Sequence, residues 1–600
     1  MLHQIVFSID ISALGGALGA VVALFLVGRL LVPREVPDIV ALTAGWGFTV
    51  LAMTAVGTFF AAPLWPVEVG VAVLAACSLA REIRARVLPE SWRSGLLALP
   101  LLIVVSGMHA SQWDEFSHWL HAIRYLTEHG SLPGSGGREI HSCCAAYPYG
   151  WPFFVTLGNR LSGGFGESMP SLINVFLLSL TGGLFARILS GDVKAGWGAH
   201  ALGVLLATVL CATFVPKLVF TAYADVATGV LVGTLGWIAW RMIEADDTCP
   251  RICLAFGLIG VALVGAKPAN LLLFVFITGG LILATLRMRS RSLGGRDLMG
   301  LAVAVIPPLL AWLMWRVHVV DNLELRELSI RPFETWNLAL VSDILVRMGL
   351  IASKKGAYFG IMVLFSGLGL LALFRPTTPL RRLAIVGGGI FLGYQGFLLF
   401  AYVAVFSEYD ALRAASYWRY NTHLGWLASL FVAVAARAIY DLRPGVRSWL
   451  PRVGWLPIGL ILLAPIVLIE KVRFDLDSQK DFVRQAARNV KTLVPTDADI
   501  FIVDPLGSGL ANVMARYEWQ GTPRLSAVTD AFTPLTEAQM RKAAASADYI
   551  LVLSINEAAS KVFSLHRQPA GFLIKSEARL RFLPIERWPF PGGKVPDAYP

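Results

Sequence analysis

Charge is scarce in this chain. Asp, Glu, Lys and Arg make up 15% of its 600 residues, against 56% for the hydrophobic types. That balance excludes both an ordinary soluble domain and a disordered polar chain. Cysteine is scarce as well: Cys77 and Cys211 lie in apolar runs, Cys249 and Cys253 flank a short turn, and Cys143-Cys144 are neighbours in a polar loop. No CxxC paired with a second CxxC occurs, which removes the usual zinc-ligand spacing. Oxidising surroundings would allow a Cys143–Cys144 disulfide, although a bond between adjacent residues is strained. The absence of any Asn-x-Ser/Thr sequon points to a bacterial inner membrane rather than a secretory-pathway one. No basic residue precedes the first apolar run and no small-residue cleavage site follows it. That run therefore reads as an anchor with its N-terminus outside, not as a signal peptide. The two halves share no sequence similarity, which counts against the repeated build of many transporters.

What the chain has in abundance is apolar length. Runs of roughly 17–25 residues recur from Ile11 to Glu470, and each can cross about 30 Å of hydrocarbon as a helix. About fourteen such segments predict an α-helical polytopic membrane protein. Orientation follows from the arginines. Arg29 and Arg34, Arg81 with Arg84 and Arg86, Arg187 with Lys194, Arg287 with Arg289 and Arg291, Arg375 with Arg381 and Arg382, and Arg443 with Arg447 and Arg452 all fall on one side when the spans alternate. That side reads as cytoplasmic. It accounts for most of the net charge of +11 and leaves no need for a nucleic-acid partner. The other face then carries loops 109–150, 317–355 and 407–420, together with the tail after Glu470. Residues 1–94 read as N-terminal transmembrane helices, 95–470 as the main membrane domain, and 471–600 as an extracytoplasmic α/β domain of roughly 130 residues. Within the tail, 499–504 and 548–553 have strand character, and 478–493 and 536–546 have helical periodicity. Gly507-Ser508-Gly509 follows a strand, but a lone glycine pair is no phosphate-binding fingerprint.

The richest stretch chemically is Trp113-Asp114-Glu115-Phe116-Ser117-His118-Trp119, which follows the hydrophobic segment Leu96 to Met108, read as a fourth span. Phe116, Leu120 and Ile123 recur at i, i+4 and i+7, so 114–128 is expected to be an amphipathic helix in the membrane interface. Gly130, Pro133, Gly134, Gly136 and Gly137 end it. The same spacing puts Asp114, His118 and His121 on one helical face. Such a face could hold a divalent cation or a base beside its partner, or simply pack at the interface, while first-turn carboxylates also favour the helix dipole. Asp225 lies near the outer end of a later span and either faces a cavity or meets water at a helix end. Lys267 and Arg419 sit at outer ends too, and Arg413, Lys354 and Lys355 could extend the same basic lining. A guanidinium between the aromatics Trp418 and Tyr420 suits phosphate recognition, while snorkelling or headgroup contact would use the same residues otherwise. The loop 317–355 adds Asp321, Glu324, Arg326, Glu327 and Arg331.

These patches together resemble the GT-C class of membrane glycosyltransferases, which includes the lipid A aminoarabinose transferase and the protein O-mannosyltransferases. Asp114-Glu115, opening a helix in the first large outer loop, is similar to the principal mark of that class. Tyr147-Pro148-Tyr149-Gly150-Trp151-Pro152 resembles its Tyr-Pro-x-Gly-x-Pro segment, Tyr223-Ala224-Asp225-Val226 its second acidic motif, and Ser416-Tyr417-Trp418-Arg419-Tyr420 its late Arg-Tyr motif. The resemblance covers roughly 95–470. Three preceding spans, and Tyr149 where proline is common, depart from the pattern. It implies a GT-C-like fold and inverting transfer from a polyprenyl-phosphate sugar to a glycan, lipid or protein acceptor among the membrane lipids. Asp114 would be the base. Glu115 and Asp225 would orient the acceptor or hold a metal, and Lys267 and Arg419 would stabilise the leaving phosphate. His118, His121, Tyr147 and Tyr420 would position the acceptor or its loop. A divalent cation, Mg or Mn, would find ligands among Asp114, Asp225 and His118. The competing readings are a transporter or flippase for a lipid-linked saccharide, and a non-catalytic component of an envelope polysaccharide assembly machine.

Overall fold

The structure is a computed structural model that describes residues 9–86, 88–134, 139–191, 194–245, 249–289, 294–323, 329–442 and 454–565, and the backbone of 572–575 and 581–584. The expectations attached to Gly136, Gly137, Arg291, Glu324, Arg326, Glu327, Arg443, Arg447 and Arg452 lie outside the described residues. Among those described, nine helices are long and apolar enough to cross a membrane, from Ile11–Leu31 to Tyr417–Leu442. Four shorter apolar helices accompany them: Trp197–Ala207, Pro250–Val264, Gly356–Ala372 and Trp455–Val467. The protein is an α-helical polytopic membrane protein with a small C-terminal sheet.

The chain folds into two compact units. The first comprises Met1–Met108, Ile123–Arg138 and Ala146–Val472; the second comprises His109–Ala122, Glu139–Ala145 and Arg473–Pro600.

In the first unit, small residues let helix backbones touch. A Cβ on Gly28 would fall on the Ala41 carbonyl, and one on Gly45 on the Leu24 carbonyl, so Ile11–Leu31 and Asp38–Phe59 pack with nothing between them. Close backbone approach replaces the hydrophobic effect as the cohesive force between membrane helices. The arginine-bearing ends are stitched together by ion pairs: Arg29 with Asp38, Arg34 and Arg81 with Glu82, Arg187 with Glu90, and Arg382 with Glu244. Glu244 stands at the far end of the helix Asp225–Ala245 from Asp225, about 30 Å along its axis. The third apolar stretch is a 21-residue helix, Trp65–Ala85, whose last turns carry Arg81, Glu82 and Arg84. Leu96 to Met108 is broken: Trp92–Leu97 stops, and Leu99–Ser106 starts with Pro100 in its first turn. In the expected loop 317–355, the helix Gly295–Asn322 runs on past 317, and Val341–Lys354 is itself helical.

The second unit carries a five-stranded sheet in the order β2-β1-β3-β4-β5: β1 Asp499–Asp504, β2 Arg524–Asp530, β3 Tyr549–Val552, β4 Phe572–Lys575 and β5 Arg581–Pro584. β1 pairs parallel with β2 and β3, while β4 and β5 are antiparallel. The crossover helices Leu510–Trp519 and Glu537–Ser546 are what parallel neighbours require. Phe501, Val503, Ile550, Val552, Met540 and Phe563 form the core beneath the sheet.

Candidate functional site

In the first unit, an acidic group buried at the start of a membrane helix gathers three basic side chains from two parts of the chain. Asp225 is 1% exposed and opens the helix Asp225–Ala245. Lys267 Nζ lies 3.0 Å from its Oδ1 and Arg419 Nη2 3.1 Å from its Oδ2, with Arg419 Nε 3.2 Å from Oδ1. His423 Nε2 lies 2.9 Å from Oδ1, and His423 Nδ1 meets the Tyr394 hydroxyl at 2.9 Å. Lys267 Nζ also lies 3.3 Å from His423 Nε2, so that ring nitrogen stands between the carboxylate and the ammonium. One carboxylate faces two cations, so the cluster is net positive. The Arg419 guanidinium also lies over the Tyr223 ring, 4.3 Å from its centroid.

Each member is placed by a local feature of the sequence. Lys267 rides a turn between Pro250–Val264 and Asn270–Arg289, which Pro268 keeps from continuing as helix. Buried Asn270 ties that turn back to the helix before it and to Asp225–Ala245, donating to Leu263 O at 2.9 Å and Thr228 Oγ1 at 3.0 Å. Asn174 holds the approach to Asp225 by donating to Val219 O and Thr221 O. Arg419 sits on the short helix Tyr417–Asn421, entered through Ala414 and Ser416, both non-glycine residues at positive φ (45° and 58°). That uncommon backbone is held by Tyr402, whose hydroxyl donates to Ala415 O at 2.7 Å, and by Gln395, which donates to Asn421 Oδ1 at 2.8 Å.

The segment Tyr147 to Pro152 acts as a brace. Gly150 N–H donates to Gly265 O at 2.7 Å, two residues before Lys267. The Trp151 indole donates to Ala222 O at 2.8 Å, three residues before Asp225. The Trp46 indole in turn donates to Gly150 O at 2.9 Å. A Cβ at Gly150 would stand 2.5 Å from the Gly265 carbonyl oxygen, so only glycine fits here. Tyr149 is buried beside Trp315 and Tyr147 is half-buried. Lys355 is exposed, with its ammonium 4.8 Å from the Trp418 ring centroid; Lys354 is exposed at the end of Val341–Lys354. Arg413 stacks on Tyr409, and Tyr420 is half-buried with its ring 6.3 Å from that of His423.

Asp114, Glu115, His118 and His121 belong to the second unit. The expected helix is present as a π-helical turn, Glu115–Trp119, running into Leu120–His129. Phe116, Leu120 and Ile123 are fully buried in protein. The wide turn adds a residue to the count, so i, i+4, i+7 no longer marks a single face. Asp114 is half-buried at the head of this turn. Glu115 is 3% exposed, and its Oε2 accepts from the backbone N–H of Ser111 and of Gln112, both at 2.9 Å. That carboxylate closes the turn it stands on. His121 packs edge-on against Tyr517, and the Arg484 guanidinium lies against the rings of both Phe116 and Tyr517, which also pack edge-on. His118 Nδ1 is 2.8 Å from Ser117 Oγ, and a ring nitrogen of His118 groups with Cys143 Sγ and Cys144 Sγ within 4.8 Å. The Cys143 thiol is drawn down to about 5, first by its hydrogen bond with Cys144, against burial, and further by His118.

The structure thus brings Asp225, Lys267 and Arg419 into direct contact. Sequence reasoning missed His423 and Tyr394, although His423 stands four residues after Arg419, the spacing of a shared helical face. It also missed that His118 would find cysteines as neighbours.

No protein-family model matches the chain, and no curated protein matches it. Among solved structures, the chain is similar to the archaeal oligosaccharyltransferase AglB from Archaeoglobus fulgidus in complex with an inhibitory peptide and a dolichol-phosphate. The two are 11% identical over 77% of this chain and 69% of that one, with a TM-score of 0.39. It is also similar to the Archaeoglobus fulgidus oligosaccharyltransferase in complex with Zn and sulfate, at 10% identity over 77% and 67% of the two chains and a TM-score of 0.38.

Proposed function

We propose that this chain is a membrane glycosyltransferase that moves a sugar from a polyprenyl-phosphate donor, undecaprenyl phosphate in a bacterial host, to a hydroxyl of an envelope glycan, lipid or protein at the outer face of the membrane. The observation that carries this reading is the net-positive cluster at the end of a membrane helix, where half-buried Arg419 joins buried Asp225, Lys267 and His423. A lipid donor cannot leave the bilayer, so its phosphate is presented at the end of a span, and its charge calls for cations there. Ionisable groups buried in a span are costly and mark functional positions.

In the reaction, the acceptor oxygen attacks the anomeric carbon with inversion, the bond from that carbon to the phosphate oxygen breaks, and the phosphate leaves with the electron pair. Lys267 and Arg419 meet the charge growing on that phosphate, the preorganised electrostatic role that is often the largest catalytic term. Asp225 is a positioning residue: its oxygens are engaged by the two cations and His423, so it acts by aiming them. Asp114 takes the acceptor proton, and Glu115 positions it by closing the turn at Ser111 and Gln112. Lys355 and Arg413 add positive charge for the anionic lipid.

The test is mass analysis of envelope glycans and glycolipids from cells with the wild-type protein, with Asp114→Asn, and without the protein. The sugar missing from the deletion strain names donor and acceptor together, and Asp114→Asn should reproduce that loss. A glycan profile that Asp114→Asn leaves unchanged would point instead to a transporter or an assembly component.

A further inference from the structure

We propose that His118, Cys143 and Cys144 form a zinc-binding site with three protein ligands and an open fourth position. Their donor atoms, one imidazole nitrogen and two sulfurs, lie within 4.8 Å of one another, with the sulfurs 2.9 Å apart. Donors held 2.0–2.3 Å from a tetrahedral zinc ion stand about 3.4–3.8 Å from each other, and all three donors here already lie within 4.8 Å of one another. Taking up an ion would part the two sulfurs from 2.9 Å to about 3.8 Å.

Three features of the surroundings prepare the site. The backbone is already joined where the ion would join it: Cys143 N–H donates to Ser117 O at 3.0 Å, which docks the strip Glu139–Ala145 against the π-helical turn. The histidine is aimed, because Ser117 Oγ engages Nδ1 at 2.8 Å, the kind of partner that fixes the ring of a ligating histidine. Burial is graded, with His118 buried, Cys144 half-buried and Cys143 exposed, so an ion could enter from the Cys143 side and keep a water there. π-helical turns are rare and frequently found at functional sites; this one delivers His118 three residues beyond Glu115.

The donor chemistry selects the ion. Two thiolates and an imidazole favour zinc and are poor ligands for the harder magnesium and manganese. An ion here would fasten the strip at 143–144 to the turn that carries Asp114 and Glu115. The site is independent of the glycosyltransfer reading, since it would bind zinc whatever reaction the protein performs.

The experiment uses the full-length protein in detergent, reduced and freed of metal, with zinc chloride as the probe. Zinc retained after gel filtration is counted by elemental mass spectrometry, and affinity is read by competition with a chromophoric chelator. One zinc per chain is expected for wild type and for Cys77→Ser, which removes an exposed cysteine elsewhere. His118→Asn and the double variant Cys143→Ser/Cys144→Ser should lose it. Ser117→Ala keeps all three donors and should bind about 10–100-fold more weakly. Because a variant could misfold, wild-type protein gives a second readout: zinc should slow maleimide modification of Cys143 and Cys144 and leave Cys77 unaffected. Reduced wild-type protein that takes up no zinc, zinc retained by the double variant, or labelling of Cys143 unaltered by zinc would each overturn the proposal. Selective uptake of copper(I) with no zinc would overturn the metal assignment in the same way.

Discussion

Replacing Asp225 with asparagine removes one negative charge from between two cations without changing the size of the side chain. Lys267 and Arg419 approach its oxygens to 3.0 and 3.1 Å. At an effective dielectric constant of about 20, each of those attractions is worth about 5 kcal/mol before desolvation is counted. Removing one member of a buried pair has a net cost of about 3–5 kcal/mol, because the charges left behind stay buried and unbalanced. Asp225→Asn should therefore lower the stability of the first unit by about that amount. Its signature is non-additivity. Lys267→Met removes one of the stranded cations, so the double variant should be less destabilised than the two singles predict, with a coupling of about 1–3 kcal/mol. The assay is unfolding in detergent micelles followed by tryptophan fluorescence, with 18 tryptophans as reporters. Strict additivity, or Asp225→Asn as stable as wild type, would refute the claim that this carboxylate balances the two cations.

Three further outcomes follow from other parts of the structure. Gly150→Ala puts a methyl group 2.5 Å from the Gly265 carbonyl oxygen. It should destabilise by about 1–3 kcal/mol as the brace shifts, and transfer activity should fall with it through Lys267. Glu115→Ala leaves the Ser111 and Gln112 N–H groups without their carboxylate, at about 1.5–3 kcal/mol per charged hydrogen bond. Hydrogen exchange should then speed up over 109–122 with little change in Asp225–Ala245. Burial raises the Glu90 carboxyl from 4.5 to about 7, although Arg187, 3.1 Å away, pulls the other way. The folded state then favours the protonated acid, so its contribution is complete below about pH 4.5 and lost as pH rises toward about 7. Glu90→Gln cannot ionise, so thermal melts should show it gaining stability relative to wild type as pH rises across that window; a difference independent of pH would contradict the shift.

The membrane helices were legible because apolar runs of span length have few other uses. In the second unit, β1 and β3 announced themselves by short apolar, β-branched runs, Ile500 to Val503 and Ile550 to Val552. β2 was hidden, since Arg524, Ser526 and Thr529 interrupt its apolar positions and it is recognised by pairing alone. Asp225, Lys267 and Arg419 could be singled out one at a time, because an ionisable group in an apolar run is conspicuous. Their mutual contact depends on turns nearly two hundred residues apart and on backbone bonds from Gly150 and Trp151, which no local pattern encodes. The π-helical turn at Glu115–Trp119 escaped for a related reason: face assignments assume 3.6 residues per turn, and one wider turn rotates everything after it. The cysteines beside His118 lie across a loop, where spacing carries no information on proximity.

The most direct measurement of the central claim is donor binding and transfer by the purified protein, with the polyprenyl-phosphate sugar named by the glycan comparison. Native mass spectrometry counts bound lipid, and product formation is followed in parallel. Asp114→Asn should hold the donor as wild type does and form product at least about 100-fold more slowly. Arg419→Ala should bind the donor about tenfold to a hundredfold more weakly. Undiminished donor binding by Arg419→Ala, or full transfer by Asp114→Asn, would contradict the account.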